Sequence, residues 1–353
     1  MRLAFIAVTV LLCAAPASAQ TTWTYALRLT AESTSLRGNA ERHVNEADGW
    51  STSGHLVAAA DAAWTAGDRL RVAGALAGVV RTDGNTELRV RELYSRASAA
   101  SWLDVEAGKR ILRWGVAYGF SPAGVLDPPR MATDPGDRLQ LNEGRLLARA
   151  DAYKGLTSFT IAVAERTLAA RLSSVLPGGV EVAAIAAGIR RRRPSFGGTV
   201  THVIGQQLEW HIDAMVVDEG PGGRLNAAAG IQYTFARGVN VVVEYHRNGH
   251  GLSDAQWSDV LGGRRAPGVQ PTRRNHVFTR VARTDADARL VPELIVIANV
   301  DDGGWTLVPS LTWSARRRLQ VHVRATGLHG PARAVVSFAP FSSSVAAGVV
   351  ARF

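Results

Sequence analysis

The chain has 353 residues, 46% of them apolar, and carries 40 basic against 30 acidic side chains for a net charge of +10. A single cysteine, Cys13, excludes a disulfide framework and a cysteine-based metal centre. After the first residues no apolar run approaches ~20 positions, which excludes a transmembrane helix.

The N-terminus reads as a secretory signal. Arg2 gives a positive start, Leu3 to Ala15 an apolar run, and Ala17-Ser18-Ala19 a small-residue cleavage site before Gln20. A lipid anchor on Cys13 needs a small residue before it, and Leu12 stands there instead. Residues 1–19 are therefore expected to be removed, leaving a single domain over 20–353 with no thiol. Loss of Arg2 leaves 40 − 1 = 39 basic residues and a net of +9; only Lys109 and Lys154 among them are lysines. Export, and arginines that gather in no one region, argue against nucleic acid as a partner.

Period-two alternation recurs along the mature chain. Leu70, Val72, Leu76 and Val80 share one parity, with Arg69, Arg71 and Arg81 on the other. Leu208, Trp210, Ile212, Ala214 and Val216 alternate with Gln207, Glu209, His211, Asp213 and Met215. Trp305, Leu307, Pro309, Leu311 and Trp313 alternate with Thr306, Ser310, Thr312 and Ser314, and Leu319, Val321 and Val323 with Arg318, Gln320, His322 and Arg324. Such segments are strands with one apolar and one polar face. A soluble sandwich buries the apolar face between sheets; a membrane barrel turns it to lipid and sets aromatic residues at both interfaces. Trp23 with Tyr25, Trp305 and Trp313 at opposite ends of one strand, and Tyr233 with Phe235 fit the barrel. Polar faces carrying Arg, Glu, Asp and His suit a wet lumen, although the outside of a sandwich could hold them too.

Eighteen candidate strands follow, near 22–33, 54–66, 69–82, 86–98, 102–113, 145–154, 156–166, 167–176, 179–190, 196–204, 207–217, 225–235, 239–247, 275–283, 289–299, 305–315, 318–327 and 342–353. Sixteen is the alternative, because the break at Glu165-Arg166 is weakly marked. Short turns alternate with segments that are often longer, as periplasmic turns and outer loops do in bacterial barrels. The expected fold is an all-β, transmembrane, antiparallel up-and-down barrel.

The third outer loop, 114–144, is the unusual part. Pro122, Pro128, Pro129 and Pro135 prevent a regular element, yet Trp114, Tyr118, Phe120, Val125, Leu126, Leu139 and Leu141 would seek burial. An ordered loop folded into the lumen, or packed over it as a lid, satisfies both demands. At the other end of the chain, Val345, Ala347, Val349 and Ala351 alternate to a terminal Phe353. This resembles the final strand of outer-membrane barrels, which the barrel-assembly machinery reads.

Three segments resemble a poorly characterised porin-like family of bacterial outer-membrane β-barrels. They are Lys109 to Pro135 with Arg113-Trp114-Gly115, then Glu244-Tyr245 with Arg247-Asn248-Gly249, then Asn299-Val300-Asp301-Asp302-Gly303. The resemblance implies a barrel in the outer membrane and no agreed substrate.

Candidate functional residues follow from that topology. In the loop, Arg110, Arg113 and Arg130 are expected opposite Asp127, Asp134 and Asp137, with Trp114 and Tyr118 beside them; opposed charges across a constriction orient charged solutes. Basic wall positions Arg69, Arg71, Arg89, Arg91, Arg318 and Arg324, with Arg28 and Arg280, would raise local anion concentration. They could instead only hydrate the wall and pair with Glu32, Glu87, Glu209 and Glu244. The run Arg190, Arg191, Arg192 and Arg193 falls at an outer loop, where lipopolysaccharide phosphates are the anionic neighbours.

An outer-membrane hydrolase rests on His246 and His250 alone. No Gly-x-Ser-x-Gly elbow exists, and Gly249 and Gly251 argue against a helix that would put both histidines on one metal. The expectation is a non-enzymatic channel without cofactor or metal for small, anionic solutes. The rival is a non-conducting barrel acting in surface interaction or envelope assembly.

Overall fold

The computed structural model describes residues 21–39, 49–189, 193–217, 223–266, 272–285 and 287–353. The expected leader, and Arg190, Arg191 and Arg192, lie outside them. The strands are β1 (Thr21–Gly38), β2 (Trp50–Ala66), β3 (Leu70–Arg81), β4 (Thr86–Ala100), β5 (Leu103–Arg110), β6 (Arg145–Lys154), β7 (Thr157–Ala164), β8 (Thr167–Leu176) and β9 (Val180–Ile189). They continue as β10 (Ser195–Ile204), β11 (Leu208–Val217), β12 (Arg224–Thr234), β13 (Val239–Arg247), β14 (Asn275–Arg283), β15 (Leu290–Asn299), β16 (Trp305–Arg316), β17 (Leu319–His329) and β18 (Phe341–Arg352). Each pairs antiparallel with its sequence neighbours, and β1 pairs with both β2 and β18. The sheet is therefore an 18-stranded closed barrel without edges. Glu165 and Arg166, the break that the sequence marks weakly, do separate β7 from β8.

Three boundaries move by three residues or more, each for a local reason. β1 runs on to Gly38 and β2 starts at Trp50, because Thr34, Ser35, Leu36 and Arg37 continue the ladder against Ser53, Thr52, Ser51 and Trp50. β5 stops at Arg110 because the Glu92 carboxylate accepts the Ile111 N–H at 2.9 Å and turns the chain inward.

Parity divides the wall as alternation predicts. Leu56, Leu76, Val80, Leu88, Ile212, Val216, Ile231, Leu311 and Val323 face outward and are exposed. On the other parity Glu32, His211, Asp213, Glu244 and His322 face the lumen and are buried. Exposed aromatics gather at the two rims: Trp23, Tyr25, Trp102, Phe235 and Trp313 toward the short turns, Trp50, Phe196, Tyr245 and Trp305 toward the longer loops. That is the double girdle of a bilayer-spanning barrel.

At the long-loop end, helix α1 (Asp254–Leu261) starts with a capping box between Ser253 and Gln256. Its Trp257 packs edge-on against Phe338 and donates to the Arg333 carbonyl at 2.8 Å, joining the β13–β14 and β17–β18 loops.

Candidate functional site

Residues 111–144 do not cover the barrel; they enter it. The segment enters between Arg110, held by Glu92 at 2.6 Å, and Lys109, which pairs with Glu143 where the chain leaves. Its first half lays Leu112, Trp114, Ala123 and Leu126 against lumen-facing Leu147, Ala162, Ala164, Ala169, Ile185, Ala187 and Met215 of β6 to β9 and β11. Small wall side chains let the loop backbone approach closely. Further on, Tyr118, Phe120 and Ala132 pack on Val242, Phe278, Ile295 and Val308 of β13 to β16. Leu141 closes the circuit on Val57, Ala59, Ala77 and Val79 of β2 and β3.

A loop with four prolines and no ladder needs partners for its backbone, and buried carboxylates supply them. Asp213 of β11 accepts the N–H groups of Val116 at 2.9 Å, Ala117 at 3.4 Å and Ala123 at 2.5 Å. Glu244 of β13 accepts those of Tyr118 and of Gly119, the latter at 2.7 Å, and meets His211 Nε2 at 2.8 Å. On the far side Arg138 pairs with Glu32 of β1, which also meets His322 Nε2 at 2.6 Å. Arg28 donates to the Arg138 carbonyl at 2.5 Å, Arg324 to that of Thr133, and Arg89 to that of Leu141 at 3.1 Å.

The predicted loop charges are not arrayed as two facing rows. Asp127 is 6% exposed and accepts the Trp114 N–H at 2.7 Å and the Ser121 hydroxyl at 3.1 Å. Burial pushes its carboxyl above the ordinary value, against those hydrogen bonds. Arg130 donates to the carbonyls of Ala117 and Tyr118, and Asp137 accepts the N–H groups of Leu141 and Asn142, both at 2.9 Å. Arg110 lies over the Tyr94 ring, and Arg113 is exposed. The loop's own unpaired backbone claims Asp127, Arg130 and Asp137, which sequence spacing could not reveal. Of the six, Asp134 and Asp137 line a cavity beside the loop, and Asp134 lies 3.8 Å from Arg324.

That cavity, of about 380 Å³, lies between loop residues 133–140 and the wall of β14 to β18 and β1. Arg28, Arg138, Arg280, Arg324 and Arg352 line it with His322, against Asp134, Asp137 and Glu293. Arg280 pairs with Glu293, under the Tyr118 ring at 5.0 Å. Arg28 and Arg352 sit directly opposite across the β1–β18 seam, with no ion pair to either among the described residues. Of the other wall candidates, Arg71 reaches a second cavity with Asp61, Glu92 and Arg110, and Arg91 lies 3.8 Å from Asp61. Arg89 pairs with Glu87 at 2.9 Å, while Arg69 and Arg318 are exposed at the short-turn end. His246 stacks on Phe120 at 4.0 Å, and His250 lies in the turn beyond β13. Among the described residues no three His, Cys, Asp or Glu side chains converge as a metal site. Asp213, His211, Glu244, Glu32 and Arg352 were not singled out as site residues from the sequence. Their signal was available: polar groups on the inward parity, in mid-strand or at the closing seam.

No protein-family model matches the chain, and no curated protein matches it in sequence. Solved structures do. OccK11 (OpdR) of Pseudomonas aeruginosa superposes with a TM-score of 0.61 at 11% identity, over 94% of this chain and 96% of that one. A BenF-like porin from Pseudomonas fluorescens Pf-5 gives 0.62 at 10% identity, covering 94% and 98%. OccK5 (OpdH) of P. aeruginosa gives 0.61 at 10%, with the same coverage. At such identities the likeness carries architecture: the chain has the fold of a porin, an 18-stranded antiparallel barrel.

Proposed function

We propose that this chain is an outer-membrane channel through which small solutes, preferentially anions, pass by diffusion. One observation carries the reading: the cavity left between loop and wall is lined by five arginines and three carboxylates. In a low-dielectric enclosure such a surplus concentrates anions, and guanidinium groups bind carboxylate and phosphate oxygens in pairs. No bond is made or broken. Likeness to porins, outward apolar residues and the two aromatic girdles support placement in the outer membrane.

Two further partners belong to the proposal. Lipopolysaccharide phosphates would meet the basic run Arg190, Arg191, Arg192 and Arg193, and the assembly machinery would take the exposed Phe353 that follows the last strand. The non-conducting alternative is favoured by one finding, the contact of the loop with four separate parts of the wall. Proteoliposomes separate the two. The channel admits a small monocarboxylate faster than a cation or neutral solute of equal size; a plugged barrel admits none of them.

A further inference from the structure

The lumen wall contains the same three-residue device twice. In the first copy His211 of β11, Gly230 of β12 and Glu244 of β13 lie in one cross-strand row. In the second, His322 of β17, Gly348 of β18 and Glu32 of β1 do the same. In each the middle residue is a glycine without a side chain, so the imidazole and the carboxylate meet above it, at 2.8 Å and 2.6 Å. A Cβ on Gly230 would come within 2.5 Å of Glu244 Cγ and 2.7 Å of His211 Nε2. On Gly348 it would come within 2.6 Å of both His322 Cε1 and the Ala31 carbonyl. Alanine at either position therefore closes the gap that the bridge occupies.

Each glutamate has a second set of partners, and both sets belong to the loop. Glu244 takes the N–H groups of Tyr118 and Gly119; Glu32 takes the Arg138 guanidinium. The devices are centred on β12 and β18, six strands apart round the ring of 18. One holds the near half of the loop by its backbone, the other the far half by a side chain. A carboxylate that accepts from two directions has its position fixed by both, so the histidine sets where the loop hangs.

We propose that these two His–Gly–Glu bridges are the suspension points of the constriction loop and set the bore of the passage beside it. His211, Gly230 and Gly348 are positioning residues, since they act on the loop through Glu244 and Glu32; His322 acts through Glu32 and also meets the Arg138 guanidinium at 3.1 Å. The bore depends on the channel reading, whereas the suspension does not.

The experiment therefore uses two readouts. The first is single-channel current of the full chain in planar bilayers. The second is the labelling rate of Val116→Cys by a small charged maleimide, in a mature chain without native thiol. With both bridges intact, current is quiet and labelling slow. Glu244→Ala is expected to speed labelling by about tenfold or more, as local opening becomes easier, and to give a larger, noisier current. Gly230→Ala, which disturbs the bridge and leaves the carboxylate in place, should shift both readouts in the same direction by less, and the Gly230→Ala/Glu244→Ala double variant no more than Glu244→Ala alone, because the glycine acts through Glu244. Glu244→Asp should restore part of the wild-type behaviour, and Glu32→Ala should raise the current through the other bridge. Unchanged labelling and current in Glu244→Ala, or additive effects in the double variant, overturn the proposal. Silent wild-type channels with accelerated labelling in Glu244→Ala would remove the channel reading and keep the suspension.

Discussion

The two halves of the lumen wall obey one parity rule and have opposite surfaces. On β6 to β9 the inward residues that meet the loop are Leu147, Ala162, Ala164, Ala169, Ile185 and Ala187, and the loop lies dry upon them. On β14 to β18 and β1 the inward residues include Arg280, Glu293, Arg324, Arg352 and Arg28; Arg28 and Arg324 reach loop carbonyls, and a cavity lies between this wall and the rest of residues 133–140. Facing the lumen is therefore not the same as facing water. Where the loop docks dry, the inward positions are those of a protein core; beside the cavity, they are mostly charged.

The contrast is broken most sharply by placing one substitution on both halves. Ala169→Arg puts a guanidinium into a contact where Ala169 has no exposure. An unpaired charge there should cost about 3–5 kcal/mol of loop docking, read as a fall in thermal stability and a larger conductance. Thr312→Arg, on the cavity side, should change stability by less than about 0.5 kcal/mol and raise anion preference instead.

A smaller effect sharpens the charged half. Arg324→Ala removes a cavity guanidinium and the donor to Thr133. The anion-to-cation permeability ratio should fall roughly two- to fivefold with stability nearly kept. Smaller still is a response to acid. Burial raises the Asp134 carboxyl above its ordinary value, Arg138 and Arg324 pull it back, and Asp137 pushes it up. A raised carboxyl gains its proton sooner as pH falls, so the cavity loses a negative charge and anion preference grows. Asp134→Asn should show the higher preference already at neutral pH and lose that part of the pH response. At the bottom of the scale, His246→Ala with His250→Ala should leave solute flux unchanged, since neither lines the cavity.

Much of this was legible beforehand, for reasons that differ by element. The strands were, because lipid outside and water or protein inside impose period two on every one, down to Val345–Phe353. The loop was visible as an insertion, because prolines forbid a strand while Trp114 and Leu126 demand burial. The docking half was also written in the sequence: Ala162, Ala164, Ala169, Ile185 and Ala187 make the inward parity of β7 to β9 apolar toward one end, with Arg171 and Glu181 as its charges, paired at 3.3 Å. The partners of Asp127, Arg130 and Asp137 were not readable. They answer a backbone whose path is set by contacts a hundred residues away, with Asp213 and Glu244.

Reversal potential under a salt gradient, for the purified full chain in planar bilayers, tests the central claim most directly. Steady conductance with a potential of the sign for anion preference, reduced in Arg324→Ala, is the predicted result. Cation preference, or no current at any voltage from barrels shown to be inserted and folded, would contradict it.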